Sequence, residues 1–232
     1  MRLLVLFLFL LTAAPASAEV HLDVEALTDF PLDVGARVAV ELPYRLRLST
    51  SLGFMPQPYS NTINSFLVDL NVYDAQVGTL ITTALSHSFV WRTHLGWRPF
   101  ASLGLYIDAG YGLVSLGGGL SSQDAVQAGT TARAQASATS SSNELNINST
   151  LHMIDVEIGY GFVFWRHFVV RVALGGAFTV GASTSITSTR AATQNSRAFQ
   201  TFAAAAADYL NGTYKSYVFS PVATLALGYR FF

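Results

Sequence analysis

The 232-residue chain has no cysteine, few charged residues and, beyond its first residues, no long apolar run. The lack of cysteine excludes a disulfide framework and a lipid attached through a cysteine thiol. Charged residues make up 12% of the chain, against about 25% in soluble domains, while hydrophobic residues make up 51%. No later segment reaches the ~18 apolar residues that a transmembrane helix requires. The net charge of −1 provides no basic surface and argues against nucleic-acid binding.

The N-terminal residues have the pattern of a secretory signal peptide. Arg2 precedes a short apolar run, and Ala16-Ser17-Ala18 forms a small-x-small cleavage site. We therefore expect residues 1–18 to be removed on export and residues 19–232 to form one domain. The apolar run is too short to favour a retained membrane anchor.

Apolar and polar residues alternate in eight segments of the remaining chain, which is typical of amphipathic β-strands. One face of each segment is apolar, and the other carries glycine, small or polar residues. The lengths are close to the ~9–11 residues that a tilted strand needs to cross a membrane. The predicted strands are 20–28, 32–42, 45–55, 88–97, 102–113, 154–164, 168–182 and 221–232.

The charged residues within these predicted strands all fall on the non-apolar face. An arginine that faces lipid near the bilayer midplane costs about 2–4 kcal/mol, so a membrane would select this sorting. Opposite charges are nearly balanced, and an eight-stranded barrel has an interior just wide enough for side chains. We expect an ion-pair network in the lumen, with a gated conduction path as the alternative. Its predicted members are Asp23, Glu25, Asp33, Arg37, Glu41, Arg45, Arg47, Arg92, Asp108, Asp155, Glu157, Arg171 and Arg230.

Short and long connections alternate between the predicted strands. Pro43-Tyr44, Arg98-Pro99 and Trp165-Arg166 are tight turns, whereas residues about 56–87, 117–153 and 183–216 form long loops. The connection near Pro31 would be short although it lies on the long-loop side. Short periplasmic turns and long extracellular loops are typical of outer-membrane barrels. Aromatic residues near the short-turn side are predicted to anchor one membrane interface: Tyr44, Trp97, Phe100, Phe164, Trp165, Tyr229 and Phe231.

The last strand resembles a known family. Apolar residues alternate backwards from Phe231 through Tyr229 to Ala223, and the chain ends on aromatic residues. This end resembles the closing strand of small bacterial outer-membrane β-barrels of the OmpA transmembrane-domain, OmpX and OmpW groups. The resemblance implies an all-β, antiparallel up-and-down barrel of eight strands, placed in the outer membrane as a monomer by the barrel-assembly machinery. Phe232 is one residue beyond the register that fits best.

A soluble β-sandwich or lipocalin-like barrel would show the same alternation with its apolar face turned inward. Three observations favour the membrane barrel. Charged residues are few, aromatic residues gather at the turns, and every predicted strand has a strongly apolar face.

Two of the long loops carry helical patterns. Apolar residues recur at helical spacing at Phe66, Leu70, Tyr73, Val77, Ile81 and Leu85. Residues 199–210 are alanine-rich, and Asn211-Gly212 is predicted as the helix end. Residues 121–149 are rich in Ser, Thr, Ala and Gln, which indicates a mobile loop or a polar extension of a hairpin.

No pattern in the chain indicates an enzyme or a cofactor. His87-Ser88 lies at a loop–strand boundary, and no third residue marks a catalytic triad. No spaced set of His, Asp or Cys indicates a metal site, and no Gly-rich phosphate loop precedes a helix. The sequence therefore favours a structural or surface-interaction barrel in contact with outer-membrane lipid, with its surface partner open. A gated channel for small or hydrophobic solutes is the alternative, and a lipid-modifying enzyme is less favoured.

Overall fold

The computed structural model describes residues 20–69, 87–100, 103–121, 144–217 and 219–231. They form eight antiparallel strands in a closed barrel, in which each strand pairs with its neighbours in sequence and the first pairs with the last. The prediction of an eight-stranded up-and-down barrel is confirmed. The strands are β1 (His21–Phe30), β2 (Asp33–Glu41), β3 (Leu46–Phe54), β4 (His87–Trp97), β5 (Leu105–Ser121), β6 (Glu144–Phe164), β7 (Phe168–Ser188) and β8 (Phe219–Arg230).

The barrel closes between β1 and β8. Asp23 is paired with Arg230 at one end of this seam, and Phe30 with Ala223 at the other. One further hydrogen bond follows β8, because the Phe231 N–H donates to the Leu22 carbonyl at 2.9 Å. The terminal strand therefore performs the closing role that its resemblance to outer-membrane barrels implied. Phe232 and the predicted signal peptide at 1–18 lie outside the described residues.

The wall of the barrel is apolar outside and charged inside. Outward-facing Leu48, Leu95 and Leu174 expose 45%, 60% and 67% of their surface, whereas inward-facing Arg37 and Arg47 expose at most 1%. An uncovered apolar exterior of this extent is unfavourable in water and favourable in lipid. The faces are opposite to those of a soluble barrel, so the fold is a transmembrane β-barrel.

The apolar exterior has the height of a membrane barrel's hydrophobic band. On β6, outward-facing apolar residues run from Ile154 to Phe164. This stretch covers about 33 Å along the strand at ~3.3 Å per residue. A tilt of about 40° reduces it to a band of ~25 Å, the height expected in outer-membrane barrels.

Three strands extend beyond this band on the long-loop side. β5 continues to Ser121, β6 begins at Glu144, and β7 continues to Ser188, so the predicted loops 117–153 and 183–216 are too long. The backbone ladder continues there, with Asn148 paired to both Gly117 and Ser185. Outside lipid a strand needs no apolar face, so alternation could not predict these ends. A polar hairpin extension is one of the two predictions for residues 121–149. Residues 144–149 of that range are described and belong to β6.

A register shift changes the inward face of β7. Met153 pairs with Thr179 while His152 pairs with Gly181, so β7 has one extra residue at this point. Beyond the shift, Ala182 and Ile186 pack inward, which the simple alternation did not predict. The shift turns this part of β7 towards a helix that follows it.

Among the described residues, three helices lie on the long-loop side: α1 (Gln57–Asp69), α2 (Ala191–Gln194) and α3 (Arg197–Tyr217). A helix begins in the first long loop as predicted, although the pattern positions from Leu70 to Leu85 lie outside the described residues. α3 contains the alanine-rich segment, but the predicted end at Asn211-Gly212 is wrong. Leu210 and Tyr214 both pack against buried clusters, so packing carries the helix through Gly212.

Candidate functional site: the barrel lumen

The end of the lumen near the short turns is crossed by two arginines that share carboxylates. Arg171 contacts Asp23, Glu25 and Glu41 at 2.5, 2.6 and 3.0 Å. Arg230 contacts both oxygens of Asp23 at 2.8 Å and Glu41 at 3.0 Å. At the rim, Arg98 contacts the other oxygen of Glu41 at 2.7 Å. Residues of β1, β2, β7 and β8 are thus tied together across the closing seam.

A second group of ion pairs is centred on Arg92 of β4. Its guanidinium contacts Asp29 at 2.5 Å, Asp155 at 2.9 Å and Glu157. His94 Nε2 lies 2.8 Å from Asp155 Oδ1. All five side chains are at most 2% exposed. One guanidinium therefore satisfies carboxylates from two other strands, β1 and β6.

Arg37 and Arg47 join the two groups into one network. Arg37 lies 3.4 Å from Asp29 and 3.9 Å from Glu25, while Arg47 contacts Asp108 and lies 3.9 Å from Glu25. Every strand of the barrel contributes at least one member. We call these inward charged residues the charge lattice: Asp23, Glu25, Asp29, Arg37, Glu41, Arg47, Arg92, His94, Asp108, Asp155, Glu157, Arg171 and Arg230.

Two predicted lumen residues, Arg45 and Asp33, do not belong to the charge lattice. Arg45 is exposed in the β2–β3 turn, where its Nη1 donates to the Pro99 carbonyl at 2.8 Å, so its assignment to the lumen is wrong. Strand alternation stops at Leu46, so Arg45 does not share the face of Arg47. Asp33 is buried in the lumen, but it has no ion pair among the described residues, and its Oδ1 has no hydrogen-bond partner there.

The sequence did not assign Asp29, His94 and Arg98 to the network. Asp29 follows the predicted strand 20–28 in the connection near Pro31, yet β1 continues to Phe30 and buries it completely. His94 shares the face of Arg92 in the alternation, and this spacing is the available signal. Arg98 follows the end of β4 and reaches back to Glu41, a contact that alternation cannot indicate.

Inward-facing glycines make room for the lattice. Tyr106 is fully buried, with its ring centre 4.7 Å from the Arg47 guanidinium carbon. A Cβ at Gly159 would overlap the Tyr106 ring, and one at Gly96 would overlap the Asp108 carboxylate. Both glycines therefore accommodate large side chains from neighbouring strands and leave no open space at these points.

An apolar cluster fills the lumen at the long-loop end. Several strands contribute residues both to this cluster and to the charge lattice. On each of them the cluster residue lies closer to the long loops, as Val90 does relative to Arg92 on β4. Tyr59 of α1 and Tyr214 of α3 pack against this cluster, and burial raises the pKa of the Tyr214 hydroxyl. We call it the apolar plug: Leu32, Met55, Val90, Val114, Leu116, Leu151, Met153, Ala177 and Val222.

Hydrogen bonds fix α1 and the plug residue Met55 to the barrel wall. The Tyr59 hydroxyl lies 2.5 Å from the Thr28 hydroxyl, and the Met55 N–H donates to Ser88 Oγ at 3.0 Å. The lumen thus holds two layers, the charge lattice towards the short turns and the apolar plug towards the long loops.

The aromatic residues predicted to form a girdle are all exposed near the short turns. Trp165 is the most exposed, at 84%. Tyr229 packs edge-on against Phe168 and Phe231, with ring centres 5.8 and 5.1 Å apart. The predicted set consists of Tyr44, Trp97, Phe100, Phe164, Trp165, Tyr229 and Phe231.

Spanning helices and metal-binding clusters are both absent from the described part of the chain. None of its helices has both the length and the apolarity to cross a membrane. No group of three or more His, Asp or Glu residues there could hold a metal ion.

An apolar exterior, a charged interior and a closed antiparallel wall define a small transmembrane β-barrel of the outer-membrane type. No family model matches the chain, and no curated protein matches it significantly. Among solved structures, it is similar to the N-terminal β-barrel domain of Pseudomonas aeruginosa OprF, with 11% identity, a TM-score of 0.42, and 93% of this chain and 100% of that one covered.

Two further barrels have a similar fold. Acinetobacter baumannii CarO2 is 12% identical with a TM-score of 0.40, covering 92% of this chain and 100% of that one. A major outer membrane protein from Thermus thermophilus is 9% identical with a TM-score of 0.44, covering 93% and 100%. At these identities and scores, the similarity describes the general fold only.

Proposed function

We propose that this protein is an outer-membrane barrel with a closed lumen, which acts as a structural or surface-interaction element and not as a pore. The observation that carries the proposal is the double filling of the lumen by the charge lattice and the apolar plug. Removing one partner from a buried ion pair typically costs about 3–5 kcal/mol. Opening a path would break several such pairs at once, which opposes conduction.

The long-loop side supports a role at the surface. β6 and β7 continue past the apolar band as a polar ladder, and α3 packs on β7 through Phe199 and Ile186. A helix fixed to an extended sheet gives a rigid platform outside the membrane. The partner that such a platform would bind is open.

The outer-membrane location and monomeric state belong to the same proposal. The signal-peptide pattern supports export, and the barrel-assembly machinery would then insert the chain. Mass spectrometry of the purified membrane protein tests the export step. We expect a mature chain that begins at Glu19, and a protein retained in the cytoplasm with Met1 intact would contradict it.

Planar-bilayer recording tests the closed lumen. Purified protein should give no stable unitary currents after reconstitution, while heat-modifiable migration on gels shows that the same sample is a folded barrel. Reproducible unitary currents from this sample would refute the closed lumen and favour a channel for small solutes.

A further inference from the structure

An aromatic residue followed by arginine recurs at the short-turn end of the barrel. Tyr44-Arg45, Trp97-Arg98 and Trp165-Arg166 lie at the three short turns, and Tyr229-Arg230 ends β8. These connections join β2 to β3, β4 to β5 and β6 to β7, so the pairs are distributed around one rim. We call this set the aromatic–arginine rim.

The rim is positively charged on its exposed side. Arg45 and Arg166 are exposed, and Arg166 has no hydrogen bond or ion pair within the described chain. Arg45 uses one N–H for the Pro99 carbonyl, and Arg98 is partly exposed while paired to Glu41. The described residues that connect strands at this end include no Asp or Glu. The Glu41 carboxylate, at the end of β2, is paired with Arg98 and Arg230.

The backbone conformation of two rim turns points to a role for their side chains. Tyr44 and Arg45 have φ of 63° and 66°, and Trp165 and Arg166 have φ of 49° and 68°. Tight turns with positive φ at both central positions strongly favour Asn-Gly, because L side chains crowd the backbone there. Both turns instead carry a bulky aromatic residue and an arginine. Such strain occurs where a side chain has a function.

The neighbouring aromatic residues would fix the depth of Arg166 in a membrane. Trp165 packs edge-on against Phe168 at 5.9 Å, and His167 stacks on Tyr229 at 5.3 Å. Exposed Trp and Tyr side chains prefer the boundary between acyl chains and headgroups. An arginine beside them is held at the level of lipid phosphates.

We propose that the aromatic–arginine rim binds the phosphates of anionic phospholipids in the leaflet that faces the short turns. Arg166 and Arg45 are the phosphate ligands, since a guanidinium can donate two parallel hydrogen bonds to phosphate oxygens. Trp165 and Tyr44 hold them at headgroup depth. This inference rests on the proposed membrane location of the barrel.

Spin-labelled lipids directly measure the preference of the barrel for anionic phospholipid. The barrel is reconstituted in phosphatidylcholine, and the association of labelled phosphatidylglycerol is compared with that of labelled phosphatidylcholine. Wild-type protein should prefer phosphatidylglycerol, and Arg166→Gln should lower the preference about fivefold, the effect expected of one arginine near an anionic surface. Arg166→Lys should retain most of it. Arg197→Gln, on the opposite side of the membrane, is the matched control and should change nothing.

Each alternative outcome has a separate meaning. Equal association of both lipids with wild-type protein, or an unchanged preference in Arg166→Gln, overturns the inference. Loss of the preference on adding inorganic phosphate would also overturn it, because the site would then bind free phosphate. Failure of wild-type protein to form a heat-modifiable barrel in lipid contradicts the proposed function instead.

A second variant tests the strained turn. Arg166→Gly should raise the urea midpoint of unfolding in phosphatidylcholine, since glycine adopts positive φ without crowding. The same variant should lower the preference for phosphatidylglycerol. A lower urea midpoint, or an undiminished lipid preference, would contradict the assignment of this arginine.

Discussion

Replacing Arg92 with methionine is expected to be among the most damaging single changes in the charge lattice. The guanidinium contacts Asp29, Asp155 and Glu157, and all four side chains are at most 2% exposed. Methionine fills similar volume but leaves these carboxylates without their main partner. Removal of one partner from a buried ion pair costs about 3–5 kcal/mol, and we expect Arg92→Met to lower the unfolding free energy by an amount in that range.

The remaining contacts show where the loss arises. Asp155 keeps His94 at 2.8 Å, and Asp29 keeps Arg37 at 3.4 Å. Among the described residues, the ion pair left to Glu157 is with His94, at 3.8 Å. Glu157 therefore carries most of the penalty, so adding Glu157→Gln to the Arg92→Met variant should recover part of the lost stability.

Urea unfolding of the folded barrel in lipid vesicles, followed by tryptophan fluorescence, measures these changes. Arg98→Gln is the matched control, because Arg98 also contacts a carboxylate but its side chain is 26% exposed. The Arg98→Gln variant should lose at most ~1 kcal/mol of unfolding free energy. Acidification should narrow the difference in unfolding free energy between Arg92→Met and wild type, since a protonated carboxyl needs no cation. Equal losses for Arg92→Met and Arg98→Gln, or no recovery with Glu157→Gln, would refute the reasoning.

Three further predictions concern the exterior, the glycines and α3. Ile158→Arg on the lipid face should lower the unfolding free energy in vesicles by about 2–4 kcal/mol, while Ile158→Leu should be nearly neutral; equal effects would contradict a lipid-facing position. Gly159→Ala should cost about 1–3 kcal/mol because its Cβ would overlap the Tyr106 ring, whereas Gly212→Ala, with no atom within 4 Å, should not destabilise the protein. Phe199→Ala should loosen α3 from β7 and speed tryptic cleavage at Lys215 without changing heat-modifiable migration; unchanged cleavage would show that this contact does not hold the helix.

Side-chain alternation predicts the strands and their two faces because lipid imposes one rule on every strand. An arginine such as Arg171 must face inward wherever its strand crosses the apolar band, so charge sorting identifies the faces. This rule does not apply to strand residues that lie beyond the membrane. Ser185 and Asn148 continue the ladder without an apolar face, and their strands were therefore predicted too short.

The details of the lumen were less predictable. Arg45 and Arg47 have the same position in the alternation, but a turn with positive φ separates Arg45 from the lumen. Val90 lies on the inward face with Arg92, yet nothing local indicates that it joins a plug built from several other strands and two connecting segments. Pairings such as that of Arg98 with Glu41 depend on the stagger between distant strands, which alternation does not contain.

The orientation of the wall, apolar outside and charged inside, is tested most directly by spin labels on β3. The chain has no cysteine, so Leu48→Cys and Leu52→Cys give single labelling sites on the outward face, where these leucines are 45% and 53% exposed. In vesicles, both labels should collide more often with oxygen, which concentrates in lipid, than with a water-soluble nickel chelate. More frequent collisions with the nickel chelate at both sites would place this face in water and contradict the membrane barrel.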